Sequence, residues 1–253
     1  MTETVQAPPI SVLDAILARV APNDPESNYK KVVLYGDPGA GKTVLAASAP
    51  KPLFYSTDTG FESLFNHPSL LDNAKRIPYG NFKFTQALVD QAREGALPYE
   101  TLVIDTFTGV AENCLKELSI AKFKKDPSRE AGQFVAIGKD YQENTEQMKF
   151  LIASLTQAPL HVVYICHADE KKDEVTGKVT TRPMLTPKIA SKLLADATTV
   201  GYMTDSVDDG VTTRRLQVSG ANGKIWVKNR IKGLPNVIDN PVFDMFLNPS
   251  VYF

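Results

Sequence analysis

The sequence predicts an α/β fold with a mostly parallel central sheet, flanked by helices and extended by late antiparallel strands. Short apolar runs alternate with helical patterns through the first two-thirds of the chain, which is typical of parallel strands joined by crossover helices. The predicted strands are 31–35, 53–57, 101–105 and 160–166, and the predicted helices are 43–49, 85–94, 109–122 and 139–156.

Beyond residue 168 the pattern changes to polar turns and short strands. The polar stretch 169–186 predicts a hairpin or a mobile loop, and residues 189–194 predict a short helix. The predicted late strands are 199–203, 214–219 and 224–227, with Asn222-Gly223 as a turn signal.

The predicted organisation is one large domain with an extension at each end. Residues 1–28 form the N-terminal extension, in which apolar side chains at helical spacing predict a short helix over 10–20. Residues 29–235 form the main domain, and residues 236–253 form an apolar C-terminal tail.

The composition is that of a globular protein without a strong charge imbalance. The chain has 253 residues and a net charge of −1, so the whole molecule is not a polycation drawn to nucleic acid. Cys114 and Cys166 are far apart and match no metal or disulfide spacing. There is no basic and apolar leader, and no run of roughly 18 apolar residues. We therefore expect a cytoplasmic protein without a membrane partner.

A glycine-rich motif stands between the first predicted strand and the first predicted helix. Its residues are Gly36, Asp37, Pro38, Gly39, Ala40, Gly41, Lys42 and Thr43, which match G-x-x-x-x-G-K-[ST]. Glycines let several backbone N–H groups face one anion, and the following helix adds its positive N-terminal end. Lys42 is suited to the β and γ phosphates, and the Thr43 hydroxyl is suited to Mg²⁺. The motif therefore predicts ATP and Mg²⁺ as cofactors.

Polar residues follow three of the predicted strands. Asp105 ends a buried apolar run and is the candidate second residue for Mg²⁺. Asp58 follows the second strand, where an acid can orient the attacking water, with turn capping as its alternative role and Glu62 as the alternative base. His167 follows the fourth strand, where it can sense the γ-phosphate or simply close the strand.

Together these motifs resemble the RecA-like P-loop ATPases over roughly residues 30–232. The residues that carry the resemblance are the phosphate loop, Asp58, Asp105, His167 and Lys228-Asn229-Arg230. Within that group, the chain looks most like phage-encoded nucleotide-binding proteins, including the RecA-like single-strand annealing proteins of the Sak type. Lys228 and Arg230 also resemble the motif with which RadA and KaiC proteins reach ATP on the neighbouring subunit. Their alternative role is a solvated charge pair at a strand end.

The resemblance implies an ATPase that assembles into a ring or filament, with ATP bound at subunit interfaces. It further implies single-stranded DNA as a partner, in phage recombination or replication, alongside phage or host replication proteins. The best basic cluster for DNA is Lys122, Lys124, Lys125 and Arg129. The lysines within 169–182 are balanced by acidic residues. Two other hypotheses remain open, a nucleotide-switched assembly protein and a small-molecule kinase.

Overall fold

A computed structural model describes residues 14, 29–124, 136–174, 177–220 and 223–253, without the side chain of Asp208. Apart from Asp14, the helix predicted over 10–20 therefore lies outside the described residues. Lys125 and Arg129 of the predicted basic cluster and Asn222 of the predicted turn lie outside them as well.

Strands and helices alternate along the chain as the sequence predicts. The strands are β1 (Lys31–Gly36), β2 (Pro52–Ser56), β3 (Lys75–Pro78), β4 (Thr101–Asp105), β5 (His161–Lys172), β6 (Val179–Pro183), β7 (Thr199–Asp208), β8 (Val211–Gln217), β9 (Lys228–Asn229) and β10 (Val237–Asp239). The helices are α1 (Lys42–Ala47), α2 (Pro68–Asn73), α3 (Phe82–Arg93), α4 (Phe107–Phe123), α5 (Gly138–Gln157), α6 (Pro187–Asp196), α7 (Asp244–Leu247) and α8 (Pro249–Tyr252), with a 3-10 helix at Gly60–Asn66.

The central sheet is mixed, with the order β10-β8-β7-β1-β5-β4-β2-β3. The strands from β7 to β3 are parallel to their neighbours, whereas β8 and β10 are antiparallel additions at one edge. The predicted fold class is therefore confirmed. Strand β5 lies between β1, which leads into the phosphate loop, and β4, which ends at Asp105.

Two apolar clusters cover the two faces of the sheet, as the alternation along β1 requires. Val33 and Tyr35 join the cluster that includes residues of α3, α4, α5 and α6. Val32 and Leu34 join the opposite cluster, which includes α1 and the buried Phe243 of the C-terminal segment. Because β1 is covered on both faces, its sequence is a continuous apolar run.

Three parts of the fold differ from the predicted elements. The strand predicted over 160–166 continues to Lys172 and pairs with β6, so the polar stretch after it begins as a hairpin. The strand predicted over 224–227 is displaced to Lys228–Asn229. The 3-10 helix, α2, β3, β10, α7 and α8 were not predicted. Strand β3, for example, is a short and largely exposed edge strand without apolar alternation.

The C-terminal segment packs onto this sheet. Strand β10 pairs with β8, and the side chains of Phe243 and Phe246 are buried. Among the described residues, no helix combines the length and the apolar character that crossing a membrane requires.

Candidate nucleotide site

The glycine-rich loop leaves the carboxyl end of β1 and enters α1, and its glycines are required by geometry. Gly39 and Gly41 have φ angles of 88° and 90°, which side chains other than glycine rarely adopt. A Cβ at Gly36 would collide with the Met203 carbonyl oxygen of β7. The loop can therefore curl tightly at the edge of the sheet with its backbone N–H groups available to an anion.

The ammonium group of Lys42 is folded across this loop. Its Nζ donates hydrogen bonds to the carbonyl oxygens of Gly36 and Asp37, at 2.8 Å and 2.7 Å. The residue is only 7% exposed. Burial lowers the pKa of Lys42, while Asp105 and Asp37 act in the opposite direction. A buried cation held on neutral carbonyl groups is well suited to exchange them for phosphate oxygens.

Three oxygen-bearing side chains surround Gly60 beside the loop. The Thr43 hydroxyl donates to Oδ2 of Asp105 at 3.1 Å. The Asp58 Oδ1 accepts a hydrogen bond from the Gly60 N–H at 2.8 Å. A Cβ built on Gly60 would lie 3.0 Å from Asp58, 3.3 Å from Asp105 and 3.5 Å from Thr43. Residues from three separate segments therefore face one small space, which glycine leaves open.

The carboxylate of Asp105 is strongly perturbed by this environment. Burial and the nearby Asp58 raise the pKa of Asp105 to about 7, while the Thr43 hydrogen bond and Lys42 act in the opposite direction. A cation placed here would relieve the repulsion between the carboxylates. Among the described residues there is no cluster of three or more His, Cys, Asp and Glu side chains. Thr43 and Asp105 nevertheless fit Mg²⁺, which takes few protein oxygens and completes its shell with phosphate and water.

Asp58 and Glu62 were the two candidates for the general base. Asp58 lines the cavity and also makes the turn-capping bond to Gly60, so both of its expected roles are compatible with its position. Glu62 is exposed on the 3-10 helix and does not line the cavity. Of the two, only Asp58 lies at the cavity, and its role as the base stays a prediction.

His167 faces the cavity from β5, the strand next to the loop. Its backbone N–H donates to the Thr108 hydroxyl at 3.2 Å, and its carbonyl oxygen accepts from the Met184 N–H at 2.8 Å. Gly36 is directly in register with His167. The backbone of His167 is therefore held from two sides at the level of the phosphate loop.

The cavity at this edge of the sheet has a volume of about 310 Å³ and gathers most of the predicted residues. Its lining residues are Pro38, Gly39, Gly41, Lys42, Thr43, Val44, Asp58, Thr59, Gly60, Ser63, Asp105, Thr106, Ile165, His167 and Arg214. Sequence reasoning missed Gly60 and Arg214. Gly60 had a weak signal, because it follows Asp58 closely in a turn, but nothing local to Arg214 linked it to the loop.

The cations Lys228 and Arg230 lie away from this cavity. Lys228 donates to the carbonyl oxygens of Leu194 and Ala195, at 2.7 Å and 2.8 Å, and Arg230 donates to Ala195 at 3.2 Å. These carbonyl groups are at the C-terminal end of α6, where cations are stabilised by the helix dipole. Strand β9 pairs with the start of β7, so both residues lie toward the opposite end of the parallel strands. Their role in a neighbour's site stays a prediction.

The parallel sheet, the phosphate loop and the helix that follows it are those of a P-loop NTPase. A family model described as an AAA domain matches residues 28–231, which is most of the chain. The chain therefore belongs to this AAA domain family. No curated protein matches the chain significantly.

Two solved structures that the chain matches are distant in sequence. A KaiC-like protein of Pyrococcus horikoshii OT3 is 14% identical, with a TM-score of 0.41 and coverage of 74% of this chain and 77% of that chain. The flagellar accessory protein FlaH of Methanocaldococcus jannaschii is 12% identical, with a TM-score of 0.41 and coverage of 84% and 90%.

Proposed function

We propose that this protein hydrolyses ATP with Mg²⁺ at sites between neighbouring copies, and that the cycle acts on single-stranded DNA. The observation that carries the ATPase proposal is the convergence of Thr43, Asp58 and Asp105 around Gly60, next to the phosphate loop. Mg²⁺, when bound, supplies positive charge to the phosphate oxygens. DNA enters the proposal through the resemblance to annealing proteins and through the β5–β6 hairpin.

Five residues of the cavity have a proposed role that suits their surroundings. The Lys42 ammonium leaves its loop carbonyl partners and neutralises phosphate charge. Thr43 and Asp105 hold the metal. Asp58 orients the attacking water, because its second oxygen is not used in the contact with the Gly60 N–H. His167 detects the terminal phosphate from the end of β5.

The proposed interface role of Lys228 and Arg230 is supported by their position outside the cavity of their own chain. Both are cations, and neither lines the cavity of its own chain. An arginine supplied by a neighbour stabilises the charge of the transition state and couples hydrolysis to assembly. Their hydrogen bonds to Leu194 and Ala195 would have to be exchanged for phosphate contacts, so these bonds also fit a purely structural role.

A complementation experiment tests the interface role. Lys42→Ala removes the ammonium group that binds phosphate but leaves Arg230, whereas Arg230→Ala leaves the loop but removes the cation. If the cation acts between subunits, mixing the two inactive variants restores part of the ATPase activity, because some sites combine an intact loop with an intact neighbour. A mixture that stays as inactive as its components, while forming mixed assemblies, contradicts the interface role.

Within the described residues, we place the DNA contact on the β5–β6 hairpin, because Lys122 of the other basic cluster is already held by two carboxylates. The first strand of the hairpin, β5, carries His167 and continues past the carboxyl ends of the neighbouring parallel strands. A DNA strand bound to the hairpin would therefore be linked through β5 to the nucleotide. Lys171 and Lys172 are exposed at the end of β5. The base of the hairpin is fixed by the ion pair between Arg182 and Asp169, with N and O atoms 3.1 Å apart.

ATP hydrolysis with and without single-stranded DNA tests this proposal, with Lys42→Ala as the background. We expect stimulation by DNA that is lost in Lys42→Ala and reduced when Lys171 and Lys172 are both changed to Glu. Binding should weaken steeply with salt, because phosphate contacts release counterions. The matched control changes two exposed lysines away from the hairpin to Glu, Lys83 of α3 and Lys139 of α5. If DNA does not change the rate of hydrolysis, the DNA proposal is wrong and the ATPase proposal is unaffected.

A second candidate, a nucleotide-switched protein that binds a protein partner, is favoured by the C-terminus. Val251 is 75% exposed and Phe253 is 54% exposed, which is unusual for two apolar residues so close together. ATP-dependent assembly or partner binding without any effect of DNA would favour this candidate.

A further inference from the structure

An arginine from the late antiparallel strands lies against the phosphate loop, and neither the motif nor the resemblance gives it a role. Arg214 belongs to β8, and a Cβ added at Gly41 would meet the Cδ, Nε and Cζ atoms of its side chain. Arg214 also lines the cavity together with Lys42 and Thr43. Its side chain therefore borders the space that the phosphate loop encloses.

The strand register explains how β8 delivers Arg214 to this position. Gly36 is in register with Met203 of β7, and Met203 is in register with Leu216 of β8. Arg214 comes two residues before Leu216 in β8, which runs antiparallel to β7. It therefore lies about 7 Å beyond the end of β1, on the same face as Leu216. That face also carries α1, because Leu216 packs in the same apolar cluster. Asn240 clamps the Arg214 backbone, with its Oδ1 accepting from the Arg214 N–H at 3.1 Å.

The guanidinium of Arg214 is unpaired, in contrast to that of the next arginine. Over the part of the chain that the structure describes, no hydrogen bond or ion pair reaches it, although Asp205 is directly across on β7. Arg215 lies on the other face of β8 and pairs with Asp239 at 2.8 Å. A planar group with five unused N–H donors beside an anion-binding loop is suited to phosphate oxygens.

The position of β8 determines which part of the nucleotide Arg214 can reach. On one side of β1 lie β7 and β8, and on the other lie β5 with His167 and β4 with Asp105. Strands β8 and β4 are four strand spacings apart, which is about 19 Å. Arg214 is therefore on the flank of the loop opposite to the residues assigned to the metal and the terminal phosphate.

We propose that Arg214 binds the phosphates that ATP and ADP share, in the same chain whose loop holds the nucleotide. The inference rests on the proposed ATP binding and adds a cation from within the chain, distinct from the interface role of Arg230. Because the contact is present with both nucleotides, Arg214 strengthens binding of ATP and ADP alike. It contributes little to the rate of hydrolysis at saturating ATP.

The test compares Arg214→Ala with Arg215→Ala, the same change on the opposite face of the strand. Dissociation constants for ATP and for ADP are measured with Mg²⁺ by titration calorimetry, and thermal unfolding checks that each variant is folded. We expect Arg214→Ala to weaken both nucleotides roughly 10- to 100-fold, as the loss of a charged hydrogen bond predicts. Arg214→Lys should fall between Arg214→Ala and wild type, and Arg215→Ala should bind as wild type does.

Each contrary result overturns the inference in a recognisable way. If Arg214→Ala binds ADP as tightly as wild type does, Arg214 does not contact the shared phosphates. If only the affinity for ATP falls, Arg214 contacts the terminal phosphate instead. An equal loss of affinity in Arg215→Ala assigns the effect to a disturbed hairpin.

The Lys42→Ala variant separates this inference from the proposed function. If wild type and Lys42→Ala bind nucleotide equally, the proposed site itself fails. If only Lys42→Ala loses binding, the role of Arg214 alone fails.

Discussion

Gly60 offers the sharpest test of the proposed metal and water site, because the structure shows what its side chain would meet. In Gly60→Ala the new Cβ would lie 3.0 Å from the Asp58 Oδ1 and 3.3 Å from the Asp105 Oδ2. An unstrained contact needs about 3.5 Å, so one of the carboxylates must move by roughly 0.5 Å. Since a misplacement of about 1 Å can cost on the order of 100-fold in rate, we expect a loss of about tenfold in kcat.

Steady-state hydrolysis of ATP in the presence of Mg²⁺ measures this effect, and chemical denaturation measures stability. Gly60 has no positive φ, so alanine fits its backbone. The stabilisation of up to about 1 kcal/mol from the restricted unfolded chain offsets the tight contacts, so the free energy of unfolding should change by less than about 1 kcal/mol. Gly138→Ala is the matched control, because nothing lies within 4 Å of its added Cβ. A Gly60→Ala variant with the kcat of wild type would refute the assignment of Asp58 and Asp105 to the reacting centre.

Two further predictions concern stability. Gly109→Ala should lower the free energy of unfolding by about 1–3 kcal/mol in chemical denaturation, because its Cβ would collide with the Thr57 hydroxyl; a variant as stable as Gly138→Ala would contradict this close packing. Burial, followed by nearby Lys31 and Lys30, lowers the pKa of His161 to about 4, and its Nδ1 accepts from the Lys30 N–H at 3.0 Å. The imidazole of His161 binds a proton more readily in the unfolded chain, so the free energy of unfolding should fall as the pH is lowered from 6.5 to about 4. In His161→Asn that loss should be smaller by about 1–2 kcal/mol after allowance for solvent screening, and identical pH profiles would show that His161 does not cause it.

The elements around the phosphate loop could be predicted because their signals are local. The apolar run of β1 and the glycines before Lys42 are contiguous, and the positive φ angles of Gly39 and Gly41 belong to their own turn. Asp105 could be assigned because a buried strand that ends in an acid is also a local pattern. The segment from the 3-10 helix to β3 has no such local pattern, because its short edge strand is mostly exposed and has little apolar surface to bury.

Local sequence patterns are sufficient to predict alternating strands and helices and one loop suited to phosphate. Which distant groups meet that loop depends on the three-dimensional fold. Gly60 matters because the chain after β2 folds over Thr43 and Asp105, and Arg214 matters because the register of β8 carries it past the end of β1. Such contacts depend on the pairing of strands far apart in the chain, and spacing between neighbouring residues carries no information about that pairing.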